Sequence, residues 1–228
     1  MRLNGSLASG RLFAKRLAAG GKIEEGHALA EAAAMRFADA MPASPRILAF
    51  SGSARKESLN RKFLAVAVEA VRAAGGEVTL LDLNDYVLPL YHGDLEDKEG
   101  LPPNAVKLIE LIKQHPALLI ASPEYNSMIT PLLKNTIDWC TRGDDNPFIG
   151  KVAGVISASP GALGGARSMK LAQQLLLHIG CHVVPTNTFL PHADKAFDAA
   201  GKLTDARAEK SARAFAAALV ATTQKFTA

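Results

Sequence analysis

The chain has 228 residues, of which 48% are hydrophobic, enough for one domain of ordinary size with a sizeable core and an extension. Its formal net charge is only +4, from 26 lysines and arginines against 22 acidic residues, and the basic residues are scattered, which argues against a nucleic-acid partner. The sequence has no apolar run near the ~20 residues that cross a bilayer, so no membrane partner is expected. The two cysteines, Cys140 and Cys181, fall in apolar segments, which indicates a reducing cytoplasm and not a disulfide framework.

Residues 1–44 differ in composition from the rest of the chain. They are rich in alanine, and no acidic residue precedes Glu24. The basic residues before that point are Arg2, Arg11, Lys15, Arg16 and Lys22. Three interpretations fit: an organelle targeting segment, a weakly ordered or helical arm, or sequence upstream of a mis-assigned start, with Met35 or Met41 as the true beginning. We place the main domain at residues 45–228 and no functional residue before it.

From residue 45 onward, apolar runs typical of buried strands alternate with helical patterns. The predicted strands cover residues 47–51, 77–82, 117–122, 152–158 and 182–186. The predicted helices cover residues 58–74, 104–113, 131–141, 165–179 and 205–225, and the acidic stretch 94–99 is predicted to be a surface excursion. This alternation predicts an α/β fold in which a doubly wound, five-stranded parallel sheet lies between two layers of helices. Ligands of such a sheet bind outside the carboxyl ends of its strands. That rule selects three connections: loop 1 (residues 51–60), loop 2 (residues 122–131) and loop 3 (residues 157–165).

Loop 1 joins a buried strand to the start of a helix, where backbone N–H groups and the helix dipole favour a phosphate. Its candidate donors are Ser51, Ser53, Ser58 and Asn60, with Arg55 as a charged partner. The loop lacks the spacing of a nucleoside-triphosphate P-loop and the Gly-x-Gly-x-x-Gly of dinucleotide sites, so it suits a terminal monophosphate. Taken alone, the same residues are equally typical of a turn followed by an ordinary N-cap.

Loops 2 and 3 carry different chemistry. Loop 2 offers an aromatic face, an amide and a carboxylate within the run Pro123, Glu124, Tyr125, Asn126 and Ser127, which suits a planar ligand with a hydrogen-bonding edge. An ordinary polar turn is the alternative. Loop 3 is rich in small residues, among them Ser159, Gly161, Gly164 and Gly165. Glycines let backbone N–H groups approach a ligand closely and form an anion site at a helix start, and a flexible linker is the alternative.

Two other groups of residues have simpler explanations. His178, Cys181 and His182 lie close together in sequence, but Gly180 breaks the helix between the histidines and a zinc site needs a fourth ligand, so we predict no metal. Trp139 and Leu133 lie with Ile137 in one predicted helix, at spacings that indicate core packing or a subunit contact.

The motifs together resemble the NADPH-dependent FMN reductase family, which includes flavodoxin-like quinone, azo-dye and chromate reductases. The resemblance rests on Ser51-Gly52-Ser53-Ala54-Arg55 with Ser58-Leu59-Asn60, on Pro123-Glu124-Tyr125-Asn126 with Leu133-Lys134-Asn135-Thr136-Ile137-Asp138-Trp139, and on Gly164-Gly165. It covers about residues 45–190. It implies a flavodoxin-like sheet of strand order 2-1-3-4-5, bound FMN, and NADPH or NADH as co-substrate.

The resemblance also implies roles for individual residues. Ser53, Arg55, Ser58 and Asn60 would hold the FMN phosphate, the run 123–126 would lie along the isoalloxazine, and loop 3 would lie at its pyrimidine end. The full set of expected cofactor-binding residues is Ser51, Ser53, Arg55, Ser58, Leu59, Asn60, Pro123, Glu124, Tyr125, Asn126, Ser127, Ser159, Gly161, Gly164 and Gly165. No catalytic side chain is assigned, because the flavin carries the redox chemistry.

We therefore expect NADPH to pass hydride to the flavin, which reduces a small-molecule acceptor: a quinone, azo dye, metal oxyanion or free flavin. The N–H groups of Gly164 and Gly165 are expected to stabilise the charge of the reduced flavin. Arg142 is a candidate for the NADPH 2′-phosphate, with an ordinary solvated surface position as the favoured alternative. A flavodoxin-type electron carrier and a non-catalytic FMN-binding regulatory module are the alternatives. The family resemblance also implies a homodimer or homotetramer. Many members read Pro-Gly where this chain reads Thr130-Pro131, a difference that bears on the choice of acceptor.

Overall fold

The computed structural model describes residues 44–227, and the expectations for residues 1–43 lie outside this range. The strands are β1 Arg46–Ser51, β2 Glu77–Leu81, β3 Ala117–Ala121, β4 Val152–Ala158, β5 His182–Val183 and β6 Thr188–Leu190. The α-helices are α1 Leu59–Ala73, α2 Gly93–Glu99, α3 Pro103–Gln114, α4 Pro131–Cys140, α5 Ala166–His178 and α6 Ala206–Thr227, with short 3-10 turns at Leu83–Asp85 and Ala193–Lys195.

The sheet confirms the predicted flavodoxin-like topology. All its pairs are parallel and the strand order is β2-β1-β3-β4-β5, with β6 also paired to β4. The central strands β1, β3 and β4 are buried along almost their whole length, as expected for apolar runs covered on both faces. The register places Ile47 beside Ala117 and Ala117 beside Val152, so the three strands end at one edge of the sheet.

The core consists of two hydrophobic clusters, one on each face of the sheet. Residues of α1 and α6, such as Phe63 and Phe215, cover one face. Residues of α3, α4 and α5, such as Ile112, Ile137 and Leu176, cover the other. Alternate strand residues supply both clusters because successive side chains point to opposite faces. The result is the predicted three-layer arrangement.

The fifth strand differs from its prediction at residues 182–186. It is broken: Val183 pairs with Ala153 in β5, and pairing with β4 resumes at Thr188, opposite Ile156, in β6. Pro185 lies in the break, and a proline has no N–H to donate to a strand ladder. β6 then continues to Leu190, whose carbonyl accepts a hydrogen bond from Ser159 N at 3.1 Å, so the second half of this edge borders loop 3.

The acidic stretch predicted as a surface excursion contains the short helix α2. Asp94 and Glu96 lie in its first turn, where negative charge suits the helix dipole. The segment before α2 is held against α4: the Asn135 amide donates to Pro89 O at 2.9 Å, and the Trp139 indole donates to the same carbonyl at 2.8 Å. Trp139 is fully buried, which agrees with the core interpretation of its motif.

No helix among residues 44–227 is both long and apolar enough to span a membrane.

Candidate functional site

Loop 1 leaves the end of β1 and enters α1 with its polar side chains turned inward. Ser51, Ser53 and Ser58 are all buried, whereas Arg55 is exposed. Ser58 is the N-cap of α1, and its Oγ accepts from Arg61 N at 3.4 Å. Ser53 Oγ accepts from Arg55 N at 3.3 Å, which closes the turn. The start of α1 is thus lined with hydroxyl groups, and Arg55 is exposed in the loop that precedes it.

Ser51 stands out among these hydroxyl groups. Ser51 is only 5% exposed, and its Oγ has no hydrogen-bond partner among residues 44–227. Leaving a buried hydroxyl unpaired costs about 1–3 kcal/mol, so such an atom requires an explanation. A bound ligand group at the end of β1 would provide the missing partner.

A cleft of about 240 Å³ opens beside loop 1, between α1 and the end of β2. Ser51 and Ser53 belong to its lining, and so do Arg61 and Asp82, which form an ion pair. Burial acts to raise the pKa of Asp82, but hydrogen bonds from Asn84 and Arg61 and the charge of Arg61 together hold it below its usual value. No residue of loop 2 or loop 3 lines this cleft, so it corresponds only to the phosphate end of the expected site.

Loop 1 is bonded directly to both other loops. Thr130 Oγ1 in loop 2 donates to Gly52 O at 2.6 Å, and a Cβ on Gly52 would lie 2.8 Å from Leu133 Cβ, so only glycine fits there. The Asn60 amide bridges to Ala158 at the end of β4: Nδ2 donates to Ala158 O at 2.7 Å, and Oδ1 accepts from Ala158 N at 2.9 Å. Asn60 therefore joins loop 1 to loop 3 and keeps one amide hydrogen for a ligand. Its neighbour Leu59 is partly buried against the core beneath α1.

Loop 2 forms a tight turn that presents an aromatic ring. Tyr125 N donates to Met128 O at 3.1 Å, and Met128 N donates to Tyr125 O at 2.9 Å. The two central residues, Asn126 and Ser127, both have positive φ values of 50° and 66°, as in a type I′ turn. Tyr125 is 45% exposed, while Pro123 before it is buried. Backbone strain of this kind tends to occur at functional sites.

Glu124 points away from the turn and into the start of α5. Its Oε2 accepts from Arg167 N and from Ser168 N, each at 3.2 Å, and its Oε1 accepts from the Arg167 guanidinium, with 2.8 Å to Nε. Burial acts to raise the pKa of Glu124, but the Arg167 side chain, the Ser168 N–H and the Arg167 charge together hold it below its usual value. The carboxylate is therefore ionised near neutral pH and is not a proton donor.

Loop 3 ends in two left-handed glycines, of which Gly164 lies against the end of β6 and Gly165 against Ser157. Gly164 has φ 58° and Gly165 has φ 80°, and a Cβ on Gly164 would lie 2.7 Å from Pro191 N. Ser157 Oγ donates to Gly164 O at 2.8 Å, and Ser159 Oγ accepts from Gly161 N at 3.1 Å. The expectation that Gly164 and Gly165 both offer N–H groups needs correction, because Gly164 N already donates to Gly161 O at 3.1 Å. The Gly165 N–H makes no hydrogen bond within residues 44–227.

Several residues considered in the sequence lie elsewhere. Arg142 follows the far end of α4, about 15 Å along the helix from loop 2, with its guanidinium 5.5 Å from the centroid of the Tyr91 ring. His182 stacks on Phe226 at 4.1 Å, and the described part of the chain contains no group of three or more His, Cys, Asp or Glu side chains suited to a metal. Cys140 and Cys181 are free and buried, and burial raises the pKa of each thiol to about 12.

Sequence reasoning missed Arg167 and Ser168 as parts of this edge. The available signal was the glycine before α5: Gly165 supplies no side chain to cap the helix, so the cap has to come from another segment. Thr130 is the N-cap of α4 and accepts from Leu133 N at 3.2 Å; its bond to loop 1 has no signal in the sequence.

Comparisons with known proteins show which family and which fold the chain is similar to. A family model described as NADPH-dependent FMN reductase matches residues 45–195. An NAD(P)H-dependent FMN reductase from Pseudomonas aeruginosa is 37% identical over 168 residues, which cover 72% of this chain and 88% of the relative. A quinone reductase from Escherichia coli K12 is 34% identical over 146 residues, or 64% of this chain and 76% of the relative. Among solved structures, a flavoenzyme NAD(P)H:(acceptor) oxidoreductase from Paracoccus denitrificans is similar with a TM-score of 0.69 and 32% identity, covering 79% of this chain and 98% of that one.

Proposed function

The chain belongs to the NADPH-dependent FMN reductase family, and from that premise we propose that it is an FMN-dependent NAD(P)H oxidoreductase that reduces a small-molecule acceptor. One observation carries the proposal: loops 1, 2 and 3 meet at one edge of the sheet, where loop 1 is hydrogen-bonded to both other loops and loop 2 to the first turn of α5, directly after loop 3. A ligand that contacts all three would span a phosphate site, an aromatic turn and a glycine loop, as FMN requires.

The residues present fit FMN. The unpaired Ser51 hydroxyl, the buried Ser53 and Ser58, and the N-terminus of α1 suit a phosphate, and exposed Arg55 can close over it. The exposed Tyr125 ring and the Asn126 amide suit a flat ring system with a polar edge. The backbone around Gly164 and Gly165, where a side chain would crowd the loop, suits the pyrimidine end, with the open Gly161 beside it. Ser159, bonded to Gly161 N, and Ser127 of loop 2 offer further hydroxyl groups.

Bound FMN supplies the hydride exchange between NAD(P)H and the acceptor. The chain supplies position and electrostatics: loop 1 holds the phosphate, and the Tyr125–Met128 turn keeps the ring system in place. The Gly165 N–H can donate to negative charge that develops on the ring, which makes it the preorganised donor of loop 3. Glu124 remains ionised and committed to α5, so it positions loop 2 and moves no proton.

Steady-state kinetics tests the reaction. We expect rapid NADPH oxidation in the presence of a quinone, the acceptor class that the E. coli relative's name indicates. Parallel assays with an azo dye, a metal oxyanion and free flavin rank the acceptors. NADH measured in parallel gives the nucleotide preference. Bound flavin without turnover of either nucleotide would favour an electron carrier or a regulatory module instead.

We propose a homodimer or homotetramer as the working form. The segment held by Asn135 and Trp139 presents Val87 and Leu90, which are 75% and 80% exposed and are apolar surface that a second copy could cover. Light scattering after gel filtration measures the assembly, and a monomeric mass would remove this part of the proposal.

The two free, buried thiols also support a reducing compartment such as the cytoplasm.

A further inference from the structure

The N-terminus of α5 has no cap of its own. Gly165 occupies the N-cap position in the left-handed conformation and makes no side-chain cap hydrogen bond. The first N–H groups of a helix need partners from outside the helix. Glu124 of loop 2 supplies them, because its carboxylate accepts from both Arg167 N and Ser168 N at 3.2 Å. The cap of one segment of the site therefore comes from another, 43 residues away.

A second set of bonds ties the same two segments together. Ser168 Oγ donates its one proton to Pro123 O at 2.7 Å. Ser122 Oγ lies 2.8 Å from Ser168 Oγ and therefore has to donate to it. Ser122 and Ser168 are fully buried. The stretch 122–124 is thus bonded to the first turn of α5 on both sides of Pro123.

The two side chains of the Glu124–Arg167 ion pair differ greatly in exposure to solvent. The Glu124 side chain is 9% exposed, whereas the Arg167 side chain is 56% exposed. An exposed surface ion pair contributes little to stability, but a nearly buried carboxylate with four donors holds its surroundings in one arrangement. The Tyr125–Met128 turn begins at the next residue, so its position depends on this carboxylate.

We propose that Glu124 and Arg167 are positioning residues that lock loop 2 to the first turn of α5, directly after loop 3, and that they control binding at the ring end of the flavin without acting on its phosphate. The inference rests on the proposed function. Loop 1 is tied to the other loops by different atoms, those of Thr130 and Asn60, so the phosphate end stays intact when the Glu124 contacts are removed.

Flavin titrations of the full-length apoprotein test this division. FMN and riboflavin share the ring system, and only FMN carries the phosphate. We expect Glu124→Gln to weaken the binding of both flavins by a common factor of about 10 or more. The glutamine amide has only one oxygen to accept hydrogen bonds, and its NH2 group is a donor that faces the donors of Arg167. Arg167→Gln leaves the backbone caps in place and should weaken both flavins by a smaller common factor. The matched control is Glu209→Gln, which removes a Glu–Arg pair on α6, away from the loops, and should change neither affinity.

The midpoint potential of bound flavin, measured at saturating flavin, separates position from charge. Glu124→Gln removes a negative charge and Arg167→Gln removes a positive one, so a direct effect of charge would move the potential in opposite directions. A shared effect on position predicts movement in the same direction for both variants and none for Glu209→Gln.

Three results would overturn the inference while wild-type protein binds FMN: unchanged riboflavin affinity in both variants, a loss confined to FMN, or opposite shifts of the potential. If circular dichroism shows that Glu124→Gln does not fold, Arg167→Gln alone decides, by the same riboflavin and FMN comparison. Wild-type protein that binds neither flavin would instead contradict the proposed function, so the two failures are distinguishable.

Discussion

At the scale of single residues, the phosphate end of the site depends on a few side chains that have no other task in the structure. Arg55 is exposed, and its side chain forms no ion pair with another of residues 44–227. Ser51 Oγ is buried without a partner. Side chains that are required for neither folding nor packing are the ones expected to contact a ligand.

Arg55→Ala should weaken FMN binding by about 1.5–3 kcal/mol, because it removes a hydrogen bond to a charged phosphate. Riboflavin affinity should not change, since riboflavin has no phosphate. Fluorescence titration of the apoprotein with both flavins measures the difference, and the neighbouring exposed Lys56→Ala is the control for a general loss of positive charge. Equal FMN affinity in Arg55→Ala and the wild type would remove Arg55 from the phosphate site.

Asn60 is predicted to contribute to stability as well as to the site. Asn60→Ala leaves the buried N–H and C=O of Ala158 without partners, and each unpaired group costs about 1–3 kcal/mol. Urea unfolding measures the loss. The control is Asn104→Ala, which removes a hydrogen bond from the side-chain amide to Val87 O in an exposed position and should change stability by less than about 0.5 kcal/mol. Similar losses in the two variants would contradict the role of Asn60 as the link between loops 1 and 3.

Asp82 and Glu124, two of the carboxylates whose pKa values are lowered, predict how stability depends on pH. Each has a folded-state pKa below its unfolded value, so its contribution is complete above the unfolded value and is lost as pH falls through the folded one. Acidification from neutral pH should therefore reduce the free energy of unfolding of the wild type more steeply than that of Asp82→Asn or Glu124→Gln. Urea unfolding at a series of pH values tests this, and parallel curves for all three proteins would contradict it.

At the scale of elements, the strands that hold the site follow directly from their composition. β1, β3 and β4 are continuous apolar runs, and such runs predict parallel strands covered on both faces. The helix ends were predictable for a similar reason, since Thr130 with Pro131 and Gly180 act through local backbone chemistry.

The resumption of the fifth strand after its break was not predictable from residues 182–186. Val183 and Val184 favour a strand, and a proline is also compatible with a sheet edge. Pairing resumes at Thr188 because β4 extends past the break and offers Ile156 to Ala158 as partners. This is a property of the neighbouring strand, so the local pattern contains no sign of it.

Loop 3 and β6 give a prediction at this scale. Gly164→Ala would place a Cβ 2.7 Å from Pro191 N and 2.8 Å from Leu190 C, at a φ of 58°. Gly201→Ala is the matched control, because it also has a positive φ, 79°, but its Cβ would meet nothing within 4 Å. Gly201→Ala should cost about 1 kcal/mol, from backbone strain alone, and Gly164→Ala should cost more. Equal costs in thermal or urea unfolding would show that loop 3 does not press against the end of β6 as described.

At the scale of the whole molecule, the site is made by contacts between segments far apart in the chain. Asn60 and Ala158 are 98 residues apart, and Thr130 and Gly52 are 78 apart. The sequence predicts that three loops share one edge, because parallel strands end together, and it predicts the residue types that they carry. It does not reveal which side chains join the loops, since Asn60 and Glu124 are as suitable for a ligand as for their neighbours. Only the interatomic distances in the structure show that Asn60 and Glu124 bond to neighbouring segments of the chain.

The central claim is that this edge holds an FMN that NAD(P)H reduces. The most direct measurement is the visible spectrum of freshly purified protein during anaerobic titration with NADPH. We predict a flavin spectrum from stoichiometric FMN that is bleached as NADPH is added and restored by a quinone. A protein that purifies without flavin and binds no added FMN, or one whose bound flavin neither NADPH nor NADH can reduce, would contradict the account.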